Sequence, residues 1–182
     1  MVIIKEATQS LVEILQPAGS SQLQTLKKQM TGNDELTHTL TTPINYLPQY
    51  KYLVEDGSWV QNYSLIEIMD YTIRKNSFES YFMKTSKGIY VGFIALWLVS
   101  EKENTFVKDI KFFSFGLSPK EDENMICKDV PALLDKCLKK YSKVMWTALK
   151  ANKANIAYEI YRRRHKGKKE DLGNAWRYTC CK

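Results

Sequence analysis

The chain has 182 residues, enough for one domain built around one good core. Hydrophobic residues make up 44% and charged residues 26%, and Gly and Pro are few, which excludes a collagen-like, low-complexity or wholly disordered chain. The net charge of +7 is unevenly placed, because residues 150–182 hold ten Lys or Arg against three acids and the remainder is neutral. Such a segment either attracts a polyanion (a phosphorylated cofactor, nucleic acid or an anionic membrane surface) or is a solvated basic tail.

The four cysteines, Cys127, Cys137, Cys180 and Cys181, form no C-x-x-C pair, and His38 and His165 are the only histidines. Four well-placed zinc ligands are not in evidence, so no metal site is expected. Met1–Glu6 does not read as a secretory signal. The longest apolar run, Ile89–Val99, is well short of the roughly 20 residues a spanning helix needs. The expectation is a cytosolic protein with reduced thiols and no membrane association.

In chain order, Val2–Glu6 reads as a β-branched strand. Ser10 and Glu13 have capping-box spacing ahead of Leu11, Ile14 and Leu15, a helix ended by Pro17 and Gly19. Ser20–Met30 is a second helix with Leu23, Leu26 and Met30 on one face, stopped at Gly32. Residues 33–63 read as irregular chain. Within them, Asp56-Gly57 between Tyr52–Val54 and Trp59-Val60 signals a hairpin. Ser64 and Glu67 form another capping box, opening a helix with Leu65, Ile66, Met69 and Ile73.

Three strands follow, over Ser80–Thr85, Ile89–Val99 and Thr105–Leu117. Short turns join them into an antiparallel meander, and Gly92 is a bulge candidate. A loop over Ser118–Asp129 leads to a helix over Val130–Tyr141 and a strand over Lys143–Leu149, a crossover that implies a parallel pair. A helix over Asn155–Arg164 and a strand over Ala175–Cys180 complete the order. No linker divides the chain, so residues 1–182 read as one domain.

This order resembles the GNAT N-acetyltransferase fold, and short motifs fall in the matching places. Ile4-Lys5-Glu6-Ala7-Thr8 is similar to the family's opening strand. Tyr90–Leu96, with Val91-Gly92, resembles its third strand, and Leu117-Ser118-Pro119 its apolar-x-Pro ending of strand four. Ala151–Ala157 followed by Tyr158 or Tyr161 resembles its Asn-x-x-Ala…Tyr signature. The resemblance implies an α+β, α/β/α-layered fold. Its mixed sheet has six to seven strands, antiparallel in the first half, with strands four and five parallel, and helices flank it. A slot between those two strands after Leu117 and before Asn152 would take an extended thiol-bearing arm. Where the family has a glycine-rich pyrophosphate loop, this sequence has Lys120–Asp129 without glycine and with Glu121-Asp122-Glu123. Each such carboxylate repels a pyrophosphate by about 1 kcal/mol or more near 10 Å. Lys120 or Lys128 would then have to hold the phosphates.

By resemblance the chain is an acyl-CoA N-acyltransferase that moves an acetyl group from acetyl-CoA to a primary amine of a small molecule or protein. The implied cofactor contacts are Phe115, Gly116, Leu117, Lys120, Lys128, Asn152 and Asn155. Tyr161, with Tyr158 second, is the candidate acid, and Asp109, Glu67 or Asp70 the candidate base. Two tyrosines three apart also suit packing, Asp109 also suits a cross-strand partner, and Asn152 and Asn155 also suit a turn and a helix cap. The alternative is an inactive GNAT-like binding protein that holds nucleic acid or a protein partner through the run Arg162–Lys169. Nucleic acid is the less favoured partner.

Overall fold

The computed structural model describes residues 15–50, 59–84, 88–116 and 130–182. Seven strands form one sheet: β1 (Leu15–Pro17), β2 (Phe78–Lys84), β3 (Tyr90–Glu101), β4 (Asn104–Ser114), β5 (Lys143–Leu149), β6 (Lys168–Asp171) and β7 (Ala175–Cys181). Their spatial order is β1-β2-β3-β4-β5-β7-β6, and the β4–β5 pair is parallel while the others are antiparallel. Helices α1 (Ser20–Met30), α2 (Asp34–Thr41) and α3 (Leu65–Arg74) cover one face. Helices α4 (Val130–Lys140) and α5 (Asn155–Arg164) cover the other. This is the α+β mixed sheet with one parallel pair that the sequence implied.

Alternation along the strands feeds the two layers separately. On β3, Phe93 and Ala95 pack with Leu26, Leu40, Leu65 and Met69 of the first layer. Ile94 and Leu96, their neighbours in sequence, pack with Leu133, Leu134 and Tyr161 of the second. A strand buried on both faces reads as a continuous apolar run, as Tyr90–Leu96 does.

Local signals explain the helix starts. The Ser64 hydroxyl accepts from the Glu67 amide, and the Glu67 carboxylate accepts from the Ser64 amide, both at 3.3 Å. This capping box satisfies two backbone donors that the first turn leaves open. At α2, the Asn33 side chain accepts from the Leu36 amide at 3.1 Å. The β3–β4 turn places Lys102 and Glu103 at positive φ (48° and 69°), a local arrangement suited to a tight hairpin.

Four sequence expectations are corrected. Leu15–Pro17 ends no helix but pairs with Tyr81–Met83, because the edge of β2 is open to it. The 33–63 stretch holds helix α2, whose Thr-rich composition hid the period of Leu36 and Leu40. Trp59 and Val60 belong to a 3-10 turn, Trp59–Asn62, not to a hairpin strand. The basic run does not continue as a tail, since Lys168–Asp171 forms β6 against β7. The Val2–Glu6 strand, the Ser10–Glu13 box, the Ile4–Thr8 motif and the Asp56-Gly57 turn lie outside the described residues.

Two carboxylates tie the second helical layer down. Glu79 on β2 accepts from the hydroxyls of Tyr81 and Tyr141 and from Lys140 Nζ. Burial alone would raise its pKa, but these donors outweigh burial and lower it. Glu159 on α5 accepts from Arg162 and Arg163 and lies 3.4 Å from Lys169 of β6. The Arg162 hydrogen bond, first among these, pulls its pKa down to about 2. A carboxyl depressed in the fold contributes stability above its unfolded value near 4.3, and that contribution is lost as pH falls toward about 2. Urea titrations between pH 5 and pH 2 should therefore show a smaller acid loss for Glu159→Gln than for the parent chain.

At the junction of α5 and β6, a Cβ on Gly167 would lie 2.7 Å from the Thr179 carbonyl oxygen and 2.7 Å from Cys180 Sγ. Gly167→Ala should cost about 1–3 kcal/mol, read as a lower urea midpoint with unchanged slope.

Candidate active site

The parallel pair β4–β5 is joined at one register position, Val107 opposite Val144. Beyond it β4 runs to Ser114 and β5 to Leu149 with no further β4–β5 register pair among the described residues. The cause sits at the same place. Trp97 faces Asp109 and Leu98 faces Val107, so Lys108 has no register partner on β3 and bulges. A bulge bends its strand and increases the local twist. The rest of β4 follows β3, and the strands part well before the expected point after Leu117. Alternate residues along both parted edges turn N–H and C=O groups into the gap.

A second irregularity shapes the far end of β4. Met83 faces Gly92 and Lys84 faces Tyr90, which leaves Val91 as an extra residue on β3 beside the suspected Gly92. The Val91 carbonyl accepts from the Phe115 amide at 2.9 Å. The Phe115 side chain is buried in the first layer, so both its backbone donor and its ring are engaged. Gly116, at φ 69°, donates its amide to the Ser114 hydroxyl at 3.1 Å, a side chain that can rotate away. The Tyr50 hydroxyl donates to the Ser114 carbonyl. Leu117, Lys120 and Lys128 lie outside the described residues.

The α4/α5 side of the apex is aromatic. Trp146 on β5 is 1% exposed and stacks on Tyr178 with ring centres 5.3 Å apart. Tyr158 and Tyr161 meet it edge-on at 5.7 and 6.2 Å. Each such pair is worth about 0.5–1.5 kcal/mol beyond area burial. The Trp146 indole N–H is buried with no hydrogen-bond acceptor among the described residues. A buried donor left open costs about 1–3 kcal/mol, which a ligand acceptor or a water would recover.

The two tyrosines differ in their hydroxyls. Tyr161 donates to Asp135 Oδ1 of α4 at 2.9 Å, and its ring stacks on His165 at 4.1 Å. His165 Nε2 lies 3.4 Å from the same carboxylate oxygen. Tyr158 makes no hydrogen bond among the described residues. Burial raises both phenol pKa values, joined at Tyr161 by the Asp135 carboxylate, so both stay protonated at neutral pH.

The asparagines close the turn after β5. Asn152 Oδ1 accepts from the Ala154 amide at 2.9 Å. The helix cap is Ala154, not Asn155. The Asn155 side chain instead donates to the carbonyls of Leu149 (2.7 Å) and Asn152 (2.9 Å), and accepts from the Tyr178 hydroxyl at 2.7 Å. Its amide thereby locks the end of β5 to β7 and α5.

Asp109 sits opposite Trp97 on the α1–α3 face, with Lys111 Nζ at 3.4 Å. The structure therefore places the candidate base and the two tyrosines on opposite faces of the sheet, on either side of the gap. Glu67 serves its capping box, and Asp70 pairs with Arg74 at 3.0 Å on the outer side of α3. Sequence reasoning missed Trp146 and Asp135, and it took Tyr178 as a base-stacking neighbour of the basic run, whereas the ring packs on Trp146 and its hydroxyl is held by Asn155. The alternation Val144-Trp146-Ala148 was the available signal for Trp146.

No known family model matches the chain, and no curated protein matches its sequence. Solved structures do match. A spermidine N-acetyltransferase from Vibrio cholerae, in complex with CoA and spermine, aligns over 92% of this chain and 94% of its own, with a TM-score of 0.56 and 12% identity. A ribosomal L7/L12 α-N-protein acetyltransferase in complex with coenzyme A aligns over 92% of each chain, with a TM-score of 0.51 and 12% identity. A domain from Methanocaldococcus jannaschii aligns over 93% and 97%, at 0.51 and 15%. The fold is that of the GNAT N-acetyltransferases. At these identities the likeness concerns architecture.

Within this GNAT fold the two tyrosine hydroxyls should separate experimentally. Tyr161→Phe removes the Asp135 bond and should lower stability by about 1 kcal/mol, whereas Tyr158→Phe should stay within about 0.5 kcal/mol of the parent. Denaturant melts of both variants check this.

Proposed function

We propose that the chain is an acyl-CoA-dependent N-acyltransferase acting on a primary amine of a small molecule or protein. The observation that supports this reading best is the β4–β5 gap opening directly after Val107 and Val144. The backbone N–H and C=O groups along the two strand edges that border this gap suit the amides of an extended pantetheine arm. The solved neighbours that carry CoA are consistent with a CoA-type co-substrate.

Acetyl-CoA, when bound, supplies a thioester that loses its sulfur as thiolate when an amine nitrogen attacks the carbonyl carbon. The chain's part is positioning and proton handling. The Gly116 amide is the donor nearest the end of β4 that can turn to a developing oxyanion, since its present acceptor is a rotatable hydroxyl. Tyr158 is the proposed acid for the leaving sulfur, because its hydroxyl is uncommitted where that of Tyr161 is held by Asp135. Asp109, across the gap, is the proposed base or end of a water chain for the amine proton. Asn152 and Asn155 act by fixing the end of β5. Buried free thiols at Cys137 and Cys180 suit a reducing, cytosolic setting.

The second reading, an inactive binding protein, draws on the glycine-free acidic stretch 120–129. Thermal melts decide between them. Acetyl-CoA at 100 times its dissociation constant should add about 2.7 kcal/mol, and no shift at millimolar ligand would remove the enzyme reading. In turnover with amine substrates, Tyr158→Phe should lower kcat at least about tenfold. An unchanged kcat would return Tyr158 to a packing role.

A further inference from the structure

The charge excess is not spread over the molecule. Helices α1, α2 and α3 carry three bases against four acids, whereas α4 and α5 carry six bases against two acids. The chain direction gathers these cations further. Both α4 and α5 run antiparallel to β5, so their basic C-terminal turns lie together at the N-terminal end of that strand. The contacts agree: Asp135 of α4 meets Tyr161 and His165 of α5, and Lys182 Nζ donates to the Lys139 carbonyl at 3.3 Å. Lys143 opens β5, and Lys168 opens β6 opposite Thr179. The result is a basic pole at the end of the sheet away from the mouth of the β4–β5 gap.

Six cations at this pole, Lys136, Lys139, Lys143, Arg164, Lys166 and Lys168, have no carboxylate partner among the described residues. All but the half-buried Lys143 are exposed. For Lys139 and Arg164, placement in the last turn of a helix is stabilising by about 0.3–1 kcal/mol. That effect does not account for two such ends meeting, where like charges repel, or for Lys143 and Lys168 flanking β7 at the same end of the sheet. A bound polyanion would relieve that repulsion.

We propose that this pole is a docking surface for double-stranded nucleic acid, held through its phosphates without sequence readout. Charge complementarity selects a polyanion, and the side chains select its class. The aromatic faces here are already covered by cations: Lys143 over Phe106 at 4.1 Å, Lys136 over Tyr81 at 4.9 Å and Lys140 over Tyr141 at 5.3 Å. Bases of a single strand have no platform on which to stack, which favours a duplex. Of the exposed isoleucines of α5, Ile156 lies in its first turn and Ile160 one turn before Arg164, so a single apolar side chain borders the pole, less than the broad apolar face a lipid surface would take. The proposal does not depend on the acyltransferase reading, because the pole and the gap occupy opposite ends of the sheet.

The test is fluorescence anisotropy of the full chain with a labelled duplex of arbitrary sequence, from 50 to 200 mM salt. Neutralising four phosphates predicts an affinity loss of about 10²-fold over that range. Lys166→Gln with Lys168→Gln should reduce the log–log salt slope by about 2, while Lys27→Gln with Lys28→Gln on the opposite layer should leave it unchanged. Binding that ignores salt, or the same slope in the pole variant, would overturn the proposal. So would tighter binding to a single strand of the same length. Capture by phosphatidylserine vesicles with no duplex binding would overturn it in favour of a membrane surface.

Discussion

The single Val107–Val144 bridge governs what the rest of this molecule can do. A parallel pair joined along its length would bury its backbone groups in a ladder and leave no room for a ligand. Here one unpaired residue, Lys108, makes β4 keep faith with β3 and desert β5. The antiparallel half of the sheet and the β5–β7–β6 half are each well paired internally, and the gap lies on their boundary.

The two helical layers divide the labour. The first layer, α1 to α3, is an apolar clamp whose charges nearly balance. The second is an aromatic box, Trp146 with Tyr158, Tyr161 and Tyr178, roofed by basic helices. Within the box, hydroxyls are held at two of three tyrosines, Tyr161 by Asp135 and Tyr178 by Asn155. Among the described residues, the Tyr158 hydroxyl and the Trp146 indole N–H are left over. In a core where nearly every polar group finds a partner, two open groups in ring contact beside a strand gap form the feature of the site that packing alone does not explain.

Much of this architecture was legible in the sequence because its signals were local or strongly periodic. The Ser64–Glu67 box marked α3, Lys143–Leu149 gave β5, and Asn155–Arg164 gave α5 with matching bounds. Helix α2 was missed because its threonines masked the Leu36–Leu40 period, whereas the two missed strands were decided by tertiary pairing. Leu15–Pro17 is a strand because β2 offers an edge, and Lys168–Asp171 is a strand because β7 does. Nothing in Lys-Lys-Glu-Asp favours β structure by itself. At the site, residue types were readable, but partners were not. That Asp135 holds Tyr161 and leaves Tyr158 open depends on how α4 lies against α5, which no spacing along one helix reveals.

The composition of β6 has an effect on how the protein behaves in company. All four of its residues are exposed and charged, with both signs present, and it forms the outer border of the sheet. An uncapped border normally invites another chain to add a strand and begin a fibril. Lysine beside carboxylate along that rim makes such docking desolvate charge at each step. The rim thus guards this border of the sheet against runaway polymerisation.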